Sequence, residues 1–170
     1  MKKILAFVFA AVVLVSCGSS YRMTRAEQEA LAADVAWSVD NMDMIIDITV
    51  IYPYRGPSKM TSREYSLVIH DGVARTRLPF FGESRTSVIY GVDDSSIVLE
   101  DEPIQDLVVD RSKVQRKGQY DIYFTARRRQ TMYYFTLSVF ENGTADIQVT
   151  SPSKTPMHYS GELFFEKEKL

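Results

Sequence analysis

The sequence predicts a mainly β fold: an antiparallel arrangement of about eight to nine strands, preceded by one N-terminal α-helix. Three observations predict it. The hydrophobic period is 3.6 up to about residue 41 and becomes 2 from Met44 onward, where aromatic and β-branched residues are dense. Successive segments then alternate apolar and polar residues. Two short turns join neighbouring segments in registers that set apolar side chains against apolar ones.

At the N-terminus, Lys2 and Lys3 precede an apolar run from Ile4 to Val15 and the small residue Ser16, the layout of an export signal. The run has twelve residues, whereas a helix crossing a bilayer takes about 20. Leu14-Val15-Ser16-Cys17 resembles the lipobox of bacterial lipoproteins, which implies a diacylglycerol on the Cys17 sulfur and cleavage on its N-terminal side. Residues 1–16 are thus expected to be a lipoprotein signal peptide, and 17–23 a lipidated tether made flexible by Gly18-Ser19-Ser20. Acyl chains on one residue suffice for stable membrane anchoring. Gly18 stands where likeness to Gram-negative lipoproteins would put an aspartate for inner-membrane retention, so the outer membrane is expected. Cys17 is the only cysteine, which excludes an intramolecular disulfide.

Removing 16 of 170 residues leaves 154, enough for one domain with a substantial core. Loss of Lys2 and Lys3 takes the 20 basic residues to 18 against 22 acidic ones, a net charge of −4. Nucleic acid as a partner normally calls for a basic surface.

The helix is expected over residues 24–42. Thr24 and Glu27 have capping-box spacing. Leu31, Val35 and Val39 form one apolar row and Ala30, Ala33 and Trp37 its neighbour. Residues 43–170 form the β domain, with candidate strands at 44–52, 63–70, 73–78, 95–100, 107–115, 119–127, 131–140, 144–150 and 157–165.

A two-residue loop at Asp71-Gly72 pairs Ile69 with Ala74, Leu67 with Thr76 and Tyr65 with Leu78. At Asn142-Gly143 a two-residue loop would set Val139 against Asp146. A three-residue loop, Glu141-Asn142-Gly143 with Gly143 at positive φ, instead pairs Val139 with Ala145, Leu137 with Ile147 and Phe135 with Val149, and is predicted for that reason. Inward residues follow: Tyr120, Ile122, Phe124 and Ala126, then Tyr133, Phe135, Leu137 and Val139, then Tyr159, Leu163 and Phe165. Such alternation belongs to antiparallel meanders, sandwiches and barrels.

Leu78-Pro79-Phe80-Phe81-Gly82, then Ser138-Val139-Phe140-Glu141-Asn142-Gly143-Thr144-Ala145, then His158-Tyr159-Ser160-Gly161-Glu162-Leu163 together resemble the Bacteroidota lipoproteins of domain-of-unknown-function family 4251. The likeness spans residues 44–163. It implies a helix followed by a lipocalin-like, mostly antiparallel β-barrel, and carries over no catalytic residue or cofactor. In that family the middle loop is commonly glycine-rich; here Ser87-Val88-Ile89-Tyr90-Gly91-Val92-Asp93-Asp94 has one glycine. Surface-exposed lipoproteins of these bacteria tend to carry acidic residues after the cysteine, and Gly18-Ser19-Ser20-Tyr21 has none, so the domain is expected to face the periplasm.

Candidate chemistry is sparse. His70-Asp71 could be half of a base–orienter pair, but adjacent strand residues point to opposite faces. His158 falls on the polar side of its strand. Two histidines and no free thiol do not make a usual zinc set. Asp93, Asp94, Glu100, Asp101 and Glu102 lack the spacing of a calcium loop. Arg127-Arg128-Arg129 could grip an anion through forked hydrogen bonds, or simply solubilise a hairpin tip. Phe80 and Phe81 follow a proline that ends a strand; they either line a barrel mouth or plug the core. Tyr120, Phe124, Tyr133 and Phe135 would line an internal cavity if the barrel is open. The expected role is a membrane-tethered binding or structural module for an apolar or anionic small molecule or an envelope protein. The alternative is an envelope enzyme whose site assembles only in the fold.

Overall fold

The computed structural model describes residues 23–84 and 95–165. The signal segment, Cys17, the Ser87–Asp94 stretch and its pair Asp93-Asp94 lie outside them.

Helix α1 (Arg25–Asn41) begins at the expected cap: the Glu27 N–H donates to the Thr24 hydroxyl at 3.2 Å, and the Thr24 N–H donates to the Glu27 carboxylate at 2.6 Å. Each side chain satisfies a backbone group that the first turn leaves unpaired. The helix ends at Met42, in the left-handed region at φ 49°. Val35 and Val39 are buried and Leu31 packs partly against them. The second expected row faces solvent instead: Ala30 and Ala33 are exposed, and so is Trp37. A helix lying across the end of a barrel touches it along one narrow stripe, and Ser38 and Ala36 complete that stripe. Thr24→Ala should cost about 1 kcal/mol of stability, read as a lower urea midpoint.

The strands are β1 (Met44–Tyr52), β2 (Lys59–Met60), β3 (Ser66–His70), β4 (Val73–Pro79), β5 (Ser96–Asp110), β6 (Gln119–Arg128), β7 (Thr131–Phe140), β8 (Thr144–Ser151) and β9 (Lys154–Phe164). Neighbours pair antiparallel, and β1 pairs with both β3 and β9. Eight strands therefore close into a barrel, with β2 added alongside β1 through Val50–Met60 and Ile51–Lys59. Closure leaves the eight without free edges. Turns 71–72 and 141–143 and the 111–118 connection share the end that α1 crosses, where Arg111 meets Asp40 at 2.6 Å.

Both hairpin registers form. Ile69 pairs with Ala74 and Leu67 with Thr76 around Asp71 and Gly72, both at positive φ (49° and 74°) as a type I′ turn requires. The third expected pair, Tyr65 with Leu78, does not form. Tyr65 precedes β3 and its carbonyl accepts from the Ile48 N–H at 2.8 Å, while Leu78 pairs with Ile97. The three-residue loop is present: Val139 pairs with Ala145, Leu137 with Ile147 and Phe135 with Val149, with Gly143 at φ 81°.

The largest departure is β5. Segments expected at 95–100 and 107–115 are one 15-residue strand, whose C-terminal extension becomes a short helix α2 (Val114–Lys117). Asp101-Glu102-Pro103 reads as a break. The ladder passes through it because Asp101 and Asp106 take up positive φ (57° and 52°), where the register shifts by bulging.

Inside, the expected faces of β6 and β7 are buried along their length. Phe124 and Phe135 stack with ring centroids 4.7 Å apart and planes 5° from parallel. The Tyr159 hydroxyl, also buried, donates to the Pro79 carbonyl at 3.0 Å, and burial pushes its pKa up. Phe165 is partly buried against this core.

Candidate functional site

The four aromatics that an open barrel would turn towards an internal cavity sit at different levels of the barrel. Tyr120 pairs with Val139 next to the α1 end, Tyr133 with Ala126 towards the other, and the Phe124–Phe135 stack lies between. All four are buried, so they are successive layers of one core. Phe80 is buried, with the Lys154 ammonium 4.3 Å from its ring centre, while Phe81 is exposed beneath Lys59 at 3.7 Å. The strap that carries them is tied down on both sides. The Tyr54 N–H donates to the Phe81 carbonyl, and the Thr155 N–H to the Glu83 carbonyl. Gly82 has to be glycine here, because a Cβ would come 2.1 Å from the Thr155 hydroxyl and 2.7 Å from the Phe80 ring. Phe80 thus acts as a core plug.

The three arginines also diverge. Arg128 shares the inward parity of Phe124 and Ala126, and its Nη2 meets Glu100 at 3.0 Å. Its buried Nη1 has no hydrogen-bond partner among the described residues. Arg127 and Arg129 are exposed, the latter in the turn at φ 53°. Successive strand residues point to opposite faces, so this sequence cluster does not present a single anion fork. His70, at the α1 end, is exposed and bonded through Nδ1 to Asp43 at 2.9 Å, with Asp71 at 3.2 Å from Nε2. The Asp43 bond first, then the charge of Asp71, raise its pKa.

A cleft of about 530 Å³ lies elsewhere, on the outer wall of the barrel where β7, β8, β9 and β1 run side by side. Strand pairing builds it in two transverse rows. One is Ser138–Asp146–Ser160, each directly opposite the next. The other is Thr136–Gln148–His158–Tyr52. The rows face out because Leu137, Ile147 and Tyr159, one residue away on the same strands, face in. The Ser160 hydroxyl donates to Asp146 and lies 3.5 Å from the Tyr52 hydroxyl.

The first row continues onto β6. Asp121 sits opposite Ser138 and is almost fully covered, and Lys113, the residue just before α2, reaches onto it. Its carboxylate accepts from Lys113, from the Ser138 hydroxyl at 2.7 Å and from the Gln119 amide at 2.7 Å. Burial pushes the Asp121 pKa up, but these three donors outweigh it and hold the carboxyl below its ordinary value. The stability this supplies is present above the unfolded carboxylate value of 3.8 and is lost as pH falls through the lower folded value. Asp121→Asn should therefore cost about 1–2 kcal/mol at neutral pH, the partial exposure of Lys113 moderating the loss. The gap between the two urea midpoints should close in acid below the ordinary carboxylate range; a gap that persists there would contradict it.

The cleft carries hydroxyls, a carboxylate, an amide and an imidazole, and among the described residues neither lysine nor arginine lines it. Ser160, His158 and Asp146 are the residue types of a hydrolytic triad but are joined differently. The serine donates to the acid, and among the described residues no hydrogen bond links it to His158. Nor, among the described residues, do three or more His, Cys, Asp or Glu side chains gather as a metal set. The arrangement can hold a ligand through many directional hydrogen bonds; an activated nucleophile is not assembled in it.

Of the cleft residues only His158 stands out in the sequence as candidate chemistry, on the polar side of its strand. The signal of the others was weak but present: the register around Gly143 already places Ser138 opposite Asp146 and Thr136 opposite Gln148.

The family model described as "Domain of unknown function (DUF4251)" matches residues 26–163. Among solved structures, a DUF4251 family protein from Bacteroides eggerthii DSM 20697 superposes with a TM-score of 0.60 at 12% identity, covering 81% of this chain and 91% of that one. No curated protein matches this chain.

Proposed function

Because the chain belongs to the DUF4251 family, which brings no activity with it, we propose from its geometry and its N-terminus that it is a membrane-tethered binding module of the bacterial envelope. Lipid on Cys17 holds it at the outer membrane, and the barrel faces the periplasm. The observation that carries the binding role is the outer-wall cleft: two rows of hydrogen-bonding side chains fixed on four adjacent strands of a closed barrel. Side chains mounted on strands hold their spacing better than side chains on loops, which favours recognition over an adaptable surface. The buried carboxylate nearby is already satisfied by three donors, which supports a structural role for it rather than acid–base chemistry.

The test uses the full-length protein purified from its host membranes. Native mass spectrometry should detect a retained small molecule that is lost in Gln148→Ala. Equal, ligand-free masses for both proteins would overturn the binding role. For the tether, Cys17→Ser should abolish incorporation of labelled palmitate and move the protein out of the membrane fraction; unchanged labelling and fractionation would overturn the anchor.

A further inference from the structure

We propose that the outer-wall cleft recognises a neutral oligosaccharide, an inference that rests on the binding role above and names its ligand class. The lining decides the chemistry by exclusion and by fit. A phosphorylated, sulfated or carboxylated ligand would meet Asp146 with no lysine or arginine among the described residues of the lining to offset it. A hydrocarbon would strand a carboxylate, an amide and several hydroxyls away from water, at a cost of a few kcal/mol for each unpaired group. A sugar ring carries hydroxyls that donate and accept together, and the cleft offers both. Asp146 accepts at its second oxygen, the Gln148 amide does both, the Thr136 hydroxyl turns to suit, and the Ser160 hydroxyl, whose proton goes to Asp146, still accepts.

An aromatic face closes one end of the second row. Tyr52, which ends Thr136–Gln148–His158–Tyr52, has its ring partly in solvent, at 44% exposure. The four strands that carry this row span about 14 Å from first to last, at about 4.8 Å per spacing. An apolar ring face on one side and hydroxyls on the edge is the pattern of a pyranose, which stacks on tyrosine and hydrogen-bonds along the row. A cleft of about 530 Å³ beside that ring has room for more than one linked sugar.

The test is a glycan array of neutral glucans, xylans, mannans and N-acetylglucosamine oligomers probed with the full barrel, followed by calorimetric titration of the strongest binder. Gln148→Ala and Tyr52→Ala should each weaken binding by about tenfold, while Tyr52→Phe, which keeps the ring, retains most of it. Thermal unfolding should be unchanged for the Tyr52 variants. Either an array with no binder, or binding indifferent to both alanine variants, overturns the proposal, as does binding of spermine or oligolysine in place of glycans. A retained non-sugar molecule that is lost in Gln148→Ala would overturn the sugar assignment and leave the binding role standing; ligand-free masses would sink the role itself.

Discussion

Phe124→Ala is expected to lower the unfolding free energy by about 3–5 kcal/mol, enough to consume a large part of the stability of a domain this size. Phe124 is 2% exposed and its ring lies flat against Phe135, which is 1% exposed. Truncation removes the transfer energy of the ring and its stacking partner together. The cavity it leaves is bounded by backbone that strand pairing holds in place: Ile122, Phe124 and Ala126 sit opposite Leu137, Phe135 and Tyr133 in an unbroken ten-residue ladder. A closed ladder collapses poorly, so the cost belongs at the high end of the range. Phe124→Leu, which keeps most of the volume, should cost much less. Urea unfolding followed by circular dichroism measures both, and an alanine variant within about 1 kcal/mol of wild type would mean that this layer is loosely packed.

Gly161→Ala is expected to cost about 3 kcal/mol despite adding a single methyl group, the upper end of what overpacking usually does. Gly161 is on the inward side of β9, opposite Ile48 of β1 and Ala145 of β8. A Cβ there would come 2.3 Å from the Asp47 carbonyl oxygen and 3.0 Å from an Ile46 methyl. The first of these is backbone, and it belongs to the strand that closes the barrel. The register of β1 on β9 shifts between Ile48 and Val50, directly beside this contact, so the strands approach closely where the bulge bends them. The clash can be relieved only by opening that seam. Gly161→Val should be worse again, and hydrogen exchange should rise first at the amides of β1 and β9. An alanine variant as stable as wild type, with unchanged exchange at the seam, would contradict this account.

Gly161 also marks the limit of what local spacing reveals. The helix cap at Thr24, the switch of period at Met44, the type I′ turn at Asp71-Gly72 and the bulged loop at Gly143 are each legible within about ten residues, because capping, turn geometry and burial of one strand face act over that distance. The inward residues of β6 and β7 follow for the same reason: a one-residue slip would expose every one of them. β5 is not legible in this way because its acidic residues and Pro103 look locally like a break, and only pairing with β4 and β6 carries the strand through them on bulges.

The candidate site divides along the same line. Phe80, Phe81 and the three arginines stand out in the sequence as composition, but the fold buries one ring, exposes the other and turns Arg128 away from its neighbours. The cleft residues are ordinary polar residues at outward positions, where no burial constraint writes a pattern.

By itself the sequence determined the class of the fold, its helix, its two tight hairpins and the faces that make the core, since each depends on residues near one another in the chain. Tertiary structure alone decided that the sheet closes, which places Ile48 against Gly161, and that Tyr52 completes a row begun on β7 by way of His158. Those pairings join residues more than a hundred positions apart. Their energy is released only when the barrel shuts, so no local stretch of the chain carries their signature.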